Sequence, residues 1–146
     1  MTTLNEILRE KAGVPLIAID QGASVLDAVQ MMNDCSVGAL IVNNEGQMSG
    51  IFTERDVLRR VLGNRLDPAS VPVAQVMTDR VICCTPATSI EEARELMRSR
   101  RIRHLPILDS EGEVVGVVSI GDLNAHLTTH QETTIHYLHE YLHGRV

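Results

Sequence analysis

Gly50-Ile51-Phe52-Thr53-Glu54-Arg55-Asp56-Val57-Leu58-Arg59-Arg60 is followed, later in the chain, by Gly116-Val117-Val118-Ser119-Ile120-Gly121-Asp122-Leu123, which repeats its plan. Each copy runs glycine, two apolar residues, a hydroxyl, two spacers, an aspartate and then apolar residues. The apolar pair suits the end of a buried strand. A hydroxyl with a carboxylate three residues on suits the first turn of a helix, which the hydroxyl can cap. An aspartate there has a plain explanation, because a carboxylate is favoured near the positive end of the helix dipole. Its duplication at a fixed distance also fits a second role, in which each carboxylate accepts a pair of hydrogen bonds from a sugar diol beside backbone N–H groups that face an anion.

The repetition extends outward from these two stretches. At a shift of 65, Ile17 matches Ile82, Ser24 matches Ser89, Ala28 matches Ala93, Met32 matches Met97 and Leu40 matches Leu105. At a shift of 66, Glu45 matches Glu111, Gly46 matches Gly112, Gly50 matches Gly116 and Asp56 matches Asp122. The one added residue falls in a hairpin turn, where an insertion is cheapest. In the first half, Val14 to Ile19 reads as a strand entered through Pro15, and Ser24 opens a helix with the apolar stripe Val25, Ala28, Val29 and Met32. Gly38 to Val42 and Met48 to Thr53 form a hairpin about Asn43-Asn44-Glu45-Gly46, and a helix from about Glu54 turns Val57, Leu58 and Val61 inward and stops near Gly63. Thr3-Leu4-Asn5-Glu6 has capping-box spacing and starts a short N-terminal helix. Asn64 to Pro72, with its two prolines, reads as a linker, and Glu132 to His143 as a terminal amphipathic helix.

Each half is therefore strand, helix, strand, strand, helix, about 55 residues, too few to bury a good core alone. The expected fold is α+β: two β-α-β-β-α repeats packed with pseudo-two-fold symmetry, with a short N-terminal helix and a C-terminal amphipathic helix. The expected boundaries are 1–66 for the first helix and repeat, 67–130 for the second repeat and 131–146 for the last helix. Clefts where the strand ends of one half approach the other are the places for a small ligand.

Composition narrows the function classes. A hydrophobic content of 44% over 146 residues is ample for burial, and a net charge of −6 argues against binding driven by nucleic-acid phosphates or an anionic membrane. No aromatic platform for stacked bases exists with no Trp and a single Phe. Met1 to Lys11 is charged and no apolar run approaches bilayer length, so the expected compartment is the cytoplasm. Cys35, Cys83 and Cys84 lack disulfide or zinc spacing and are expected as buried thiols.

The tandem arrangement resembles a pair of CBS domains, the regulatory modules named after cystathionine β-synthase, over roughly Gly13 to Thr128. The resemblance rests on the duplicated Gly-apolar-apolar-Thr/Ser-x-x-Asp element, on Val76-Met77-Thr78 ahead of the second copy and on Arg103-His104-Leu105-Pro106-Ile107 within it. It implies an adenine-nucleotide sensor, binding AMP, ADP, ATP or NAD, with S-adenosylmethionine or a cyclic dinucleotide as other family ligands, and changing shape on binding. By position, Asp56 and Asp122 take ribose hydroxyls, with Thr53 and Ser119 nearby on phosphate or ribose. Ile17, Met77 and Ile82 line the adenine slots, and Arg103, His104 and Arg55 face phosphates. The resemblance also implies a flat homodimer serving an effector protein that the sequence does not identify. No required cofactor, metal site or enzymatic activity is expected.

The first half departs from the second: Val37-Gly38-Ala39-Leu40-Ile41 stands where the second has Ile102-Arg103-His104-Leu105-Pro106, and Gly121 replaces Arg55. The two clefts are thus expected to be unequal. His126 and His130, and His139 and His143, are spaced by four, with His136 three before His139; a surface face or a pH-sensitive dimer contact fits them better than zinc. A second class of function is a dimeric scaffold with empty clefts that presents the C-terminal helix.

Overall fold

The computed structural model describes residues 1–128; the helix expected over Glu132 to His143, with His130, His136, His139 and His143, lies outside them. The two hairpins form where the apolar runs predict. Strands β2 (Ala39–Asn44) and β3 (Gln47–Thr53) pair antiparallel with Leu40 opposite Phe52, and β4 (His104–Leu108) and β5 (Val114–Ser119) pair with Leu105 opposite Val118. The first turn is the tight pair Glu45-Gly46, both at positive φ. The second carries the extra residue, and the Asp109 carboxylate holds it by accepting from the N–H groups of Glu111 and Glu113, each at 2.9 Å.

Strand β1 (Ala18–Asp20) joins β2 in parallel and makes the first sheet three-stranded. The expected strand began at Val14, but Val14 and Leu16 are exposed and regular pairing starts only after Ile17. In the second repeat the matching strand shrinks to a single parallel bridge between Cys84 and Ile107, so that sheet has two strands. Proline explains the difference. In the first repeat the Ile41 N–H donates to the Ile17 carbonyl at 3.1 Å. Its counterpart is Pro106, which has no N–H to give, so the ladder loses that rung.

Helices α2 (Val25–Cys35) and α5 (Ile90–Arg100) are capped by Ser24 and Ser89, whose hydroxyls accept from Asp27 and Glu92 backbone N–H groups. Both bury the apolar stripe and end in a left-handed residue, Ser36 and Arg101. After β3, helix α3 (Glu54–Asp56) passes into a π-helical stretch over Val57–Leu62. The wider turn moves Leu58 off the inner face, where the sequence pattern had placed it, and leaves it 64% exposed while Val61 is fully buried. Helix α6 (Ile120–Thr128) follows β5.

Two hydrophobic clusters form the core, and each takes a helix from outside its own repeat. Helix α1 (Leu4–Glu10) precedes the first repeat, yet its Leu4 and Ile7 are buried in the second cluster with Ala93, Met97, Leu105, Ile107 and Leu123. Helix α4 (Val73–Val76) precedes the second repeat, yet Val73 and Val76 are buried in the first cluster with Val25, Leu40, Val42 and Phe52. The Thr3 side chain does not cap α1 as its spacing suggested. The Leu4 and Asn5 N–H groups donate instead to the carbonyls of Thr88 and Pro86, so the second repeat satisfies the helix end.

The presumed linker is docked too. Val71 and Pro68 carbonyls accept from the first N–H groups of α2, at 2.9 Å each, and Val71 is buried. Of the cysteines only Cys84 is buried. Cys83 is half-buried and Cys35 is exposed, which corrects the expectation of three buried thiols. Burial pushes the thiols of Cys83 and Cys84 up from their usual range.

Candidate functional site

The reciprocal packing creates two clefts at the seam, related by the same pseudo-symmetry. The first, about 290 Å3, lies between the α3 end of repeat one and the segment that leads into repeat two. Thr53, Arg55, Asp56, Ile82, Arg103 and His104 all line it. The second, about 800 Å3, lies between the α6 end of repeat two and the segment Lys11 to Ile17. Ile17, Ser119, Asp122 and again His104 line it. Met77 lines neither cleft. Its side chain packs on the first cluster, and its sulfur would stand 2.6 Å from a Cβ placed on Gly50.

Gly38 and His104 belong to both clefts and form the wall they share. A Cβ on Gly38 would stand 2.7 Å from a Glu54 carboxylate oxygen and 3.4 Å from the His104 ring, so a larger residue there would make the exposed Glu54 side chain swing aside. Burial holds the His104 imidazole below its usual range. Glu54 and Asp122 pull it up, and Lys11 and Arg103 push it down further. The ring is neutral at neutral pH and gains a proton more readily once an anion lies beside it.

The two aspartates occupy matching positions with different freedom. Asp56 is 5% exposed. Its Oδ2 accepts from the Thr53 N–H at 3.0 Å and the Thr53 hydroxyl at 3.3 Å, the Thr78 hydroxyl reaches both oxygens at 3.2 and 3.4 Å, and Arg60 stands 3.6 Å from Oδ1. Both of its oxygens are therefore engaged within the protein. The Asp122 side chain is 27% exposed, and its contacts all fall on Oδ2, from the Ser119 N–H at 2.8 Å and the Lys11 ammonium at 3.0 Å. Its Oδ1 has no partner among the described residues. In each repeat the hydroxyl of Thr53 or Ser119 also accepts from the aspartate N–H, completing a helix cap.

The charge of the clefts differs more than the sequence comparison indicated. Arg55, Arg59, Arg60, Arg80 and Arg103 line the first against Glu54 and Asp56, whereas Lys11 and Asp122 are the charged residues lining the second. Arg55 donates to the Arg101 carbonyl at 2.6 Å, which ties repeat one to the end of α5, and Arg60 donates to the Met77 carbonyl at 2.8 Å. Sequence reasoning missed Lys11, Arg59, Arg60, Thr78 and Arg80. Lys11 lies six residues ahead of Ile17 and Arg80 two ahead of Ile82, so the shift of 65 pairs neither with a charged residue of the other repeat. Arg59 and Arg60 needed the π-helical turn, which no residue pattern announces.

A pseudo-symmetric pair of α+β repeats with a capped aspartate at each cleft defines a class of tandem-repeat module. The chain belongs to the CBS domain family: the family profile matches residues 4–63 and 73–129, one match per repeat. Among curated relatives it is 32% identical, over 98% of its own length and 73% of the other's, to the mitochondrial CBS domain-containing protein CBSX3 of Arabidopsis thaliana. Among solved structures it is similar to the CBS-domain containing protein ATU1752 of Agrobacterium tumefaciens, with TM-score 0.80 and 28% identity over 86% of this chain and 98% of that one. The CBS domain protein PAE2072 of Pyrobaculum aerophilum, complexed with AMP, matches with TM-score 0.72 and 25% identity over 82% of this chain and 88% of that one. Among the described residues no helix is long and apolar enough to cross a membrane, and no group of three or more His, Cys, Asp or Glu is placed to hold a metal ion.

Proposed function

We propose that this chain is an adenine-nucleotide sensor, which holds the nucleoside of AMP, ATP or NAD in the second cleft and signals to an effector protein through a change in shape. The observation that carries the reading is the Asp122 carboxylate: the Ser119 N–H and Lys11 hold one oxygen, and the other has no partner among the described residues, beside a cleft walled by Val14, Leu16, Ile17, Val37 and Val117. A carboxylate beside apolar walls suits a ribose diol joined to a planar base. The AMP complex of PAE2072 lends support from a protein of the same fold. Ser119, Ile17 and His104 keep the roles the family resemblance implies at the second cleft, Arg103 faces phosphate from the first, and Ile82 takes no adenine while Thr53 and Asp56 form a structural cap.

The change in shape has a starting point in Lys11. This side chain spans from α1 to repeat two, donating to the Val117 carbonyl at 2.8 Å and to Asp122. A diol that takes over Asp122 weakens the contact that fixes the end of α1, and a ligand shifts a conformation only by such a difference between states. A homodimer is proposed from Leu58, Leu62 and Leu127, exposed on the equivalent helices of the two repeats.

Asp122→Asn tests the reading, because an amide oxygen still accepts from Ser119 and keeps the cap while leaving one acceptor too few for a diol. Calorimetric affinity for AMP is expected to fall at least tenfold with the melting temperature of the free protein little changed. Equal affinity in variant and parent would remove the reading.

A further inference from the structure

The symmetry between the repeats is broken at one sheet edge. In repeat one, Thr78 makes an antiparallel bridge on the outer side of β3: its N–H donates to the Ile51 carbonyl and the Ile51 N–H donates to its carbonyl, both at 2.9 Å. The Thr78 hydroxyl also reaches Asp56. The shifts of 65 and 66 pair Thr78 with Gly13 and Ile51 with Val117. Among the described residues no bridge joins Gly13 to Val117, and the Val117 carbonyl accepts the Lys11 ammonium at 2.8 Å instead. The same ammonium holds Asp122 at 3.0 Å, so one side chain stands in for both the backbone and the hydroxyl of Thr78.

The outer edge of β5 keeps room for the missing strand. A Cβ on Gly50 would stand 2.7 Å from the Thr78 carbonyl oxygen, which shows a chain pressed against that glycine, whereas one on Gly116 would meet the Leu8 side chain and no backbone. Gly13 has φ +89° and nothing within 4 Å of its Cβ position, and a glycine passes between such a conformation and an extended one without steric cost. Val14 and Leu16 beside it are 63% and 43% exposed, and Val115 on the edge itself is 43% exposed. The sizes of the clefts agree, about 800 Å3 beside the unpaired segment against about 290 Å3 beside paired Thr78. An unpaired edge flanked by exposed apolar side chains is a template for one more strand, and the pseudo-symmetry names the strand.

We propose that Ala12 to Leu16 is a strap that exchanges with the Lys11 side chain. When a ligand takes Asp122, the ammonium leaves the Val117 carbonyl, and Gly13 closes on Val117 through the same pair of hydrogen bonds that joins Thr78 to Ile51. The trigger rests on the nucleotide reading of the second cleft; the strap does not. Closure turns occupancy of that cleft into a new bridge at the sheet edge, directly after helix α1.

The test is amide hydrogen exchange followed by NMR on the full chain, with the paired Ile51 amide as reference, in the parent, Lys11→Met and Gly116→Ala, each with and without AMP. In the free parent the Val117 amide is expected to be at least about tenfold less protected than that of Ile51, and saturating AMP is expected to raise its protection by about tenfold or more. K11M, which releases the Val117 carbonyl, is expected to raise it without ligand. G116A sets a Cβ in the path of the strap, as one on Gly50 would meet Thr78, and is expected to prevent the gain. Protection equal to that of Ile51 in the free parent, no gain in K11M, or no gain while calorimetry shows AMP bound would overturn the strap and leave the nucleotide reading standing. The AMP arm decides alone if K11M does not fold. A gain in K11M with no binding of AMP to the parent would uphold the strap and remove the nucleotide trigger. Protection that rises with protein concentration would mean that a second copy fills the edge, and would also overturn the strap.

Discussion

Asp56 and Asp122 occupy one position in the duplicated plan, and their neighbours decide what each can do. Thr78 and Arg60 close over Asp56, while Lys11 shares only one oxygen of Asp122. The aspartates themselves were legible in the sequence. Their inequality was not, because Thr78 and Lys11 come from the segments ahead of the opposite repeats and Arg60 is brought in by the π-helical turn. The duplicated glycines follow the same logic. A Cβ on Gly50 would meet the Thr78 carbonyl oxygen at 2.7 Å, whereas one on Gly116 would meet only the end of the Leu8 side chain at 2.6 Å. A side chain can rotate away and a paired backbone carbonyl cannot, since Thr78 and Ile51 exchange hydrogen bonds of 2.9 Å in both directions. Gly50→Ala is therefore predicted to destabilise the fold by about 2 kcal/mol or more, and Gly116→Ala by clearly less, partly offset by the reduced entropy of the unfolded chain. Urea denaturation of the two variants checks this, and the reverse order would count against the packing described.

At the scale of elements, hairpins and capped helices stand where period and capping residues predict them, because those signals act within a few residues. Three features escaped. The matching strand of the second repeat fails for lack of one N–H at Pro106. The π-helical stretch displaces Leu58. Helix α1 takes the acceptors for its N-terminal N–H groups and its core partners from a repeat whose other members lie some eighty residues away or more. Leu4 tests that last point. It has no exposure at all and packs only in the second cluster, so Leu4→Ala is predicted to cost about 2–5 kcal/mol, the range for a fully buried leucine. A change below about 0.5 kcal/mol, the range of surface substitutions, would show that α1 does not complete that core.

At the scale of the molecule, the exchange of α1 and α4 between repeats makes the two halves dependent on each other, and the seam between them holds both clefts. The duplication made the seam foreseeable. The division of labour across it depends on Asp56 being sealed and on five arginines meeting at one end, neither of which the sequence displays. The nucleoside is held to enter the second cleft, beside Ile17, and not the first, beside Ile82. Methyl NMR of isoleucine-labelled protein during an AMP titration reports this directly, since an adenine ring shifts the resonance of any methyl it covers. The Ile17 methyl is predicted to move with saturating dependence on AMP while that of Ile82 stays in place, and Asp122→Asn is predicted to abolish the movement. A titration in which Ile82 moves and Ile17 does not, or in which neither moves, would contradict the placement of the nucleoside against Asp122.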